Sequence, residues 1–136
     1  MIVVDASLFA AWLLNEPDYG PEDQVWDALI AETLVVPGHW PNEIANALRR
    51  AVRTKRIRAE ELEPIAERAG VFDISLAQPT SLDEIGSLAS EALELELSTY
   101  DMSYVRLARL LQLPLATVDQ GMRRAAARLD IRLLPS

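Results

Sequence analysis

The stretch TYDMSYVRLARLLQLPLATVD, residues 99 to 119, decides the fold. From Asp101 onward, Tyr104, Val105, Ala108 and Leu111 recur at helical spacing, while Ser103, Arg106 and Arg109 fall on the wetter side. Thr99 suits the N-cap, and Asp101 in the first turn suits the positive end of the helix dipole. Leu113-Pro114 ends the helix, because a residue before proline avoids the helical region. Leu115 to Val118 then reads as a buried strand. Asp119 follows it directly, at the carboxyl end where open parallel α/β sheets hold their ligands. Taken singly, Asp101 is an ordinary helix-start charge and Asp119 an ordinary turn residue. A functional reading needs further acids at the same crevice.

The beginning of the chain repeats the arrangement. Met1 to Val4 is a short β-branched run, and Asp5 follows at once. Ser7 suits a helix N-cap, and Leu8 to Leu14 is apolar on most faces, as in a helix buried against a sheet. Asp18 to Gly20 reads as a turn, with Pro21 opening a helix striped by Val25, Ala28 and Leu29. Leu34 to Val36 is a second strand. The next helix carries the stripe Ile44, Ala47, Leu48, Ala51, Val52, with Glu43 in its first turn and Asn46 one turn on. Ala59 to Ala69 reads as a helix in spite of Pro64, which lacks a backbone donor. Asp73 to Leu76 reads as a strand near a sheet edge, Leu82 to Leu95 and Met122 to Leu129 as helices, and Ile131 to Leu134 as a last strand. Strands separated by helices predict a parallel sheet covered on both faces.

The 136 residues are the size of one domain, spanning 1–136, and half of them are apolar. With no cysteine there is neither a disulfide framework nor a thiolate metal site, which fits a cytoplasmic protein. No run is long enough to span a membrane. The net charge of −8 argues against tight nucleic-acid binding through overall charge. The distribution is uneven, however: Arg49, Arg50, Arg53, Lys55, Arg56 and Arg58 crowd one segment. Such a run serves either a solvated helix end or a phosphate backbone. Arg123, Arg124 and Arg128 follow Asp119. Trp12, Trp26 and Trp40 read as core or interface, and His39, the only histidine, as packing or a cap.

If the first and fourth strands are neighbours, Asp5 and Asp119 converge, with Glu43 and Asp101 entering from helices on either side. Like charges so placed repel, and a hard divalent cation such as Mg²⁺ or Mn²⁺ resolves the conflict. One or two such ions activate water and stabilise charge on a phosphodiester.

At this point the chain resembles the PIN-domain ribonucleases, in particular the VapC toxins of bacterial toxin–antitoxin pairs. VVDASLFAAWLLNEP, VPGHWPNEIANALRRAVRTKRI, LSTYDMSYVRLARLL and LPLATVDQGMRRAA carry the resemblance in the family's order and spacing. It implies a three-layer α/β/α fold with a five-stranded parallel sheet. It implies that Asp5, Glu43, Asp101 and Asp119 form a catalytic Mg²⁺ or Mn²⁺ site, supported by Thr117 and Asn46. It implies a metal-dependent endoribonuclease that blocks translation as a homodimer and is neutralised by a VapB-type antitoxin. Arg49, Arg50, Arg53 and Arg56 are then the candidate RNA contacts. The alternative within the family is a PIN-like domain that binds RNA or a partner without cutting. Haloacid-dehalogenase-like phosphatases also begin with a strand and an aspartate, but need a second aspartate where this chain has Ser7. A receiver-like module needs paired acids after the first strand and a late lysine, which the chain lacks.

Overall fold

The computed structural model describes residues 1–16 and 23–136. The turn expected at Asp18 to Gly20 and the helix start expected at Pro21 lie outside the described residues, as does the side chain of Val25. The strands are β1 (Ile2–Val4), β2 (Thr33–Val36), β3 (Asp73–Leu76), β4 (Leu115–Ala116) and β5 (Leu133–Leu134). They form one sheet in the order β3-β2-β1-β4-β5, and every pairing is parallel. The helices are α1 (Ala6–Leu13), α2 (Asp23–Ile30), α3 (Trp40–Arg53), α4 (Leu62–Glu67), α5 (Ile85–Glu94), α6 (Thr99–Leu111) and α7 (Gln120–Arg128). Their contacts fall into two sets. α1 packs on α3, while α6 packs on α5, α7 and the central strands. The expected sheet between two helical layers is the architecture observed.

Covering both faces explains why the inner strands are unbroken apolar runs. Val3, Val4, Leu34, Val36, Leu115 and Ala116 are all fully buried. In the layer of α1 and α3, Phe9 is ringed by Trp12, Trp26, Trp40 and Phe72, with ring centroids 4.8 to 6.4 Å away. The tryptophans therefore belong to the core, with Trp12 partly covered by the Arg68 guanidinium 5.0 Å above its ring. Trp40 Nε1 donates to the Val4 carbonyl at 3.1 Å, which pins the start of α3 to the end of β1.

Local chemistry moves several boundaries from their expected places. Ser98, not Thr99, caps α6, because its hydroxyl reaches the Asp101 N–H at 3.1 Å. α6 ends earlier than Pro114 requires: Gln112 adopts the left-handed conformation at φ 56°. Leu111, expected on the buried stripe, is 45 % exposed, and the buried face is Met102, Tyr104, Val105 and Ala108. Asp5, not Ser7, caps α1, and Asp119 caps α7, which starts at Gln120, two residues before Met122. The expected Ala59 to Ala69 helix is α4 flanked by 3-10 turns at Ala59–Glu61 and Arg68–Val71. Pro64 falls within the first turn of α4, where its missing N–H has no partner to lose.

Candidate active site

The strand order reverses between β1 and β4. β2 and β3 lie to one side of β1, with β4 and β5 to the other. A crevice opens at the carboxyl ends of strands that diverge in this way. Each of the four predicted acids stands there at the N-terminus of a different helix. Asp5 caps α1, accepting from the Ser7 N–H at 3.1 Å, and Asp119 caps α7, accepting from the Met122 N–H at 2.8 Å. Glu43 and Asp101 occupy the first turns of α3 and α6. Four positive dipole ends thus face the carboxylates, which partly offsets the repulsion of gathering them.

Thr117 lies between two acids. Its hydroxyl donates to Asp5 Oδ2 at 2.9 Å and accepts the Asp119 N–H at 3.0 Å, so one side chain sets the spacing of the β1 and β4 ends. Gly121 leaves room beside Asp119. A Cβ there would stand 3.2 Å from Asp119 Oδ2 and 3.3 Å from Leu97 Cδ2. Arg123, just after Asp119, donates to the Thr117 and Pro135 carbonyls at 2.7 and 2.8 Å.

Two residues join the site that the sequence reading placed elsewhere. Tyr104 belongs to the buried stripe of α6, yet its hydroxyl donates to Glu43 Oε1 at 2.7 Å and accepts the Ala6 N–H at 3.3 Å. It therefore ties the glutamate of α3 to the residue after Asp5. A buried tyrosine needs a partner for its hydroxyl, and that requirement is the signal by which a sequence reading finds it. His39 Nε2 lies 2.9 Å from the same Glu43 oxygen. It is buried and makes no hydrogen bond to any described residue. Asn46 is exposed and makes no hydrogen bond to Glu43.

Asp5 is 2 % exposed. Burial pushes its carboxyl from 3.8 up to about 6; the Ser7 and Thr117 hydrogen bonds pull it back, and the charges of Asp101 and Glu43 push it further up. Asp101 is also raised, first by burial and then by Asp119 and Glu43, against Ser98 and His39. Tyr104 holds its proton well above the ordinary phenol range because it is buried beside Glu43. The acids therefore feel one another.

Hard oxygen donors, with no thiolate in the chain, match a divalent cation of the Mg²⁺ or Mn²⁺ kind. Each Asp5 oxygen accepts one hydrogen bond and keeps a lone pair for a ligand. Among the described residues no three acid or histidine side chains stand close enough to share an ion. Glu43 is turned onto Tyr104 and His39, and Asp119 onto its own helix amide. The donor chemistry fits, with the carboxylates held apart by these contacts.

The arginine run lies at the far end of α3 and beyond. Arg49, Arg50 and Arg53 are exposed and form no ion pair with any described residue. Arg56 is paired with Glu16, and Arg58 with Glu61 at 3.4 Å.

Comparison with known proteins agrees with this fold. Residues 2–128 match the family model described as PIN domain. The chain is 34% identical over 119 residues to VapC ribonuclease Mb0985 of Mycobacterium bovis, covering 88% of this chain and 86% of that protein. It matches Ribonuclease VapC9 of Mycobacterium tuberculosis to the same extent. The crystal structure of PAE2754 from Pyrobaculum aerophilum shares the fold, with a TM-score of 0.65 and 23% identity over 95% of this chain and 94% of that one. With the parallel sheet, the acids at its switch point and these relatives together, the chain belongs to the PIN-domain family, among proteins of the VapC type.

Proposed function

We propose that this protein is a Mg²⁺- or Mn²⁺-dependent endoribonuclease, the toxin of a toxin–antitoxin pair that inhibits translation. The observation that carries the reading is Asp5, a carboxylate at the end of the central strand whose burial pushes it up, with the charges of Asp101 and Glu43 adding to the rise. A fold does not bury an acid among acids for stability. The relatives named ribonucleases supply the reaction class.

In this reading Asp5, Glu43, Asp101 and Asp119 hold the cation, and Thr117 and Tyr104 orient Asp5 and Glu43. When bound, the cation activates water and neutralises charge developing on the phosphodiester. In the same reading Arg49, Arg50, Arg53 and Arg56 hold the RNA backbone away from the acids, with Arg56 partly occupied by Glu16. A VapB-type antitoxin as inhibitor, a homodimer and a cytoplasmic site of action complete the proposal. Among the described residues no helix is long and apolar enough to cross a membrane.

The test is cleavage of single-stranded RNA by the purified chain with Mg²⁺ or Mn²⁺. Asp5→Asn, Glu43→Gln, Asp101→Asn and Asp119→Asn should each abolish cutting. An Asp119→Asn protein that cleaves at the wild-type rate overturns the assignment.

A further inference from the structure

We propose that Tyr100 heads a nucleobase subsite beside the acids, which takes an unpaired base of single-stranded RNA next to the bond that is cut. This rests on the ribonuclease reading above. Among the described residues Tyr100 is the one strongly exposed aromatic, 61 % exposed, and the other aromatic rings are buried or partly so. An open ring on a first helical turn adds little to the core.

Its position is specific. The Tyr100 ring meets the His39 ring edge-on, with centroids 5.2 Å apart and planes at 76°. His39 in turn touches Glu43. Tyr100 is thus one side chain removed from the carboxylates, and Asp101 follows it directly on α6. Along α6, Tyr100, Ser103, Leu107 and Leu110 recur at i, i+3, i+7 and i+10, one stripe of the helix. The last three wall a cavity of 460 Å³, whose other sides are the Pro37–His39 turn and the loop of residues 77–80. That volume is typical of a small-ligand pocket.

The lining suits a base. Pro37, Pro79 and Leu107 give flat apolar surface, and Ser103, Thr80 and Arg106 give groups for a polar edge. Arg106 makes loose ion pairs, at 3.6 Å to Glu84 and 3.8 Å to Glu91, and donates to the Ser87 hydroxyl at 3.2 Å, which leaves further guanidinium N–H groups for a ligand. Sequence-reading of single-stranded RNA works in this manner, with a splayed base stacked on an aromatic ring and read along its edge. His39, which walls this cavity and meets both Tyr100 and Glu43, joins the cavity to the acids, so a strand whose phosphate lies at the acids brings an adjacent base to it.

The experiment uses single-stranded RNA carrying 2-aminopurine, a base whose fluorescence falls on stacking, at successive positions. Binding to the full chain is measured in EDTA, so that nothing is cut. The expected result is quenching at one or two positions, retained in Tyr100→Phe and lost in Tyr100→Leu. Affinity in Tyr100→Leu should fall about tenfold, within the range of one base on one aromatic ring. Equal quenching in Tyr100→Leu, or an affinity that does not fall, overturns the subsite. So does a change in sedimentation of Tyr100→Leu with RNA binding intact, which would make Tyr100 a contact between copies of the chain. Adding Mn²⁺ separates the two readings. Position-specific quenching without cleavage refutes the nuclease and leaves the subsite, whereas cleavage with quenching indifferent to Tyr100 does the reverse.

Discussion

Asp5→Asn tests the acid cluster through stability alone, in protein stripped of metal. A carboxyl raised from 3.8 to about 6 is displaced by roughly two units, worth about 3 kcal/mol. The sign follows from proton binding. Between those values the folded chain holds the Asp5 proton and the unfolded chain releases it, so stability falls as pH climbs through the window and the loss is complete above it. Asparagine is uncharged and escapes that loss. Against this, the Thr117 hydroxyl gives up a carboxylate acceptor, costing about 1 kcal/mol. The net gain near neutral pH is about 2 kcal/mol, or roughly 6 °C in Tm for a chain of this length. Urea unfolding in EDTA from about pH 4 to pH 8 is the assay. The variant should be level with or slightly below wild type at the acid end and above it at the neutral end. A difference that is flat with pH, or a variant less stable near neutral pH, refutes the argument: Asp5 would then be held comfortably by its hydrogen bonds.

Two further outcomes follow from the same geometry. Tyr104→Phe leaves the buried Ala6 N–H without an acceptor and releases Glu43, so it should cost about 1–2 kcal/mol in denaturant unfolding and weaken Mn²⁺ binding measured by electron paramagnetic resonance. Unchanged Mn²⁺ affinity would reduce Tyr104 to a packing residue. Replacing Arg49, Arg50 and Arg53 together by glutamine should shrink the slope of log affinity against log salt for single-stranded RNA by about 0.7 per lost phosphate contact. A slope that does not move assigns the run to solvent or to a protein partner.

The layered fold was legible because its first two strands are short β-branched runs, one closed by Asp5 and the other by Pro37-Gly38. IVVD and LATVD are alike, and the sheet makes them neighbours. The acids were legible for the same reason: a carboxylate directly after a strand stands on the carboxyl edge whatever the loops do. Cap identity was harder to read. Ser98 and Thr99, or Asp5 and Ser7, are equally good caps in one dimension, and the choice depends on where the strand delivers the backbone. Tyr104 was hidden because it satisfies the helical stripe as an apolar residue while its hydroxyl acts sixty-one residues away. His39 and Tyr100 were hidden because a contact between the starts of α3 and α6 has no periodicity in the sequence.

The Thr117 hydroxyl that holds Asp5 closes a span of 112 residues. β1 pairs on one side with β2, soon after it in the chain, and on the other with β4, which is among the last elements in chain order. During synthesis, at about 5–20 residues per second, the first strand can join β2 and the aromatic core of α1 and α3 early. Its second edge stays open, with Asp5 still exposed to water, until residues 115–119 have cleared the ribosome. Closing so long a loop is a slow step. The acid cluster is consequently assembled in one late event, and a nascent or truncated chain has half a sheet but no site.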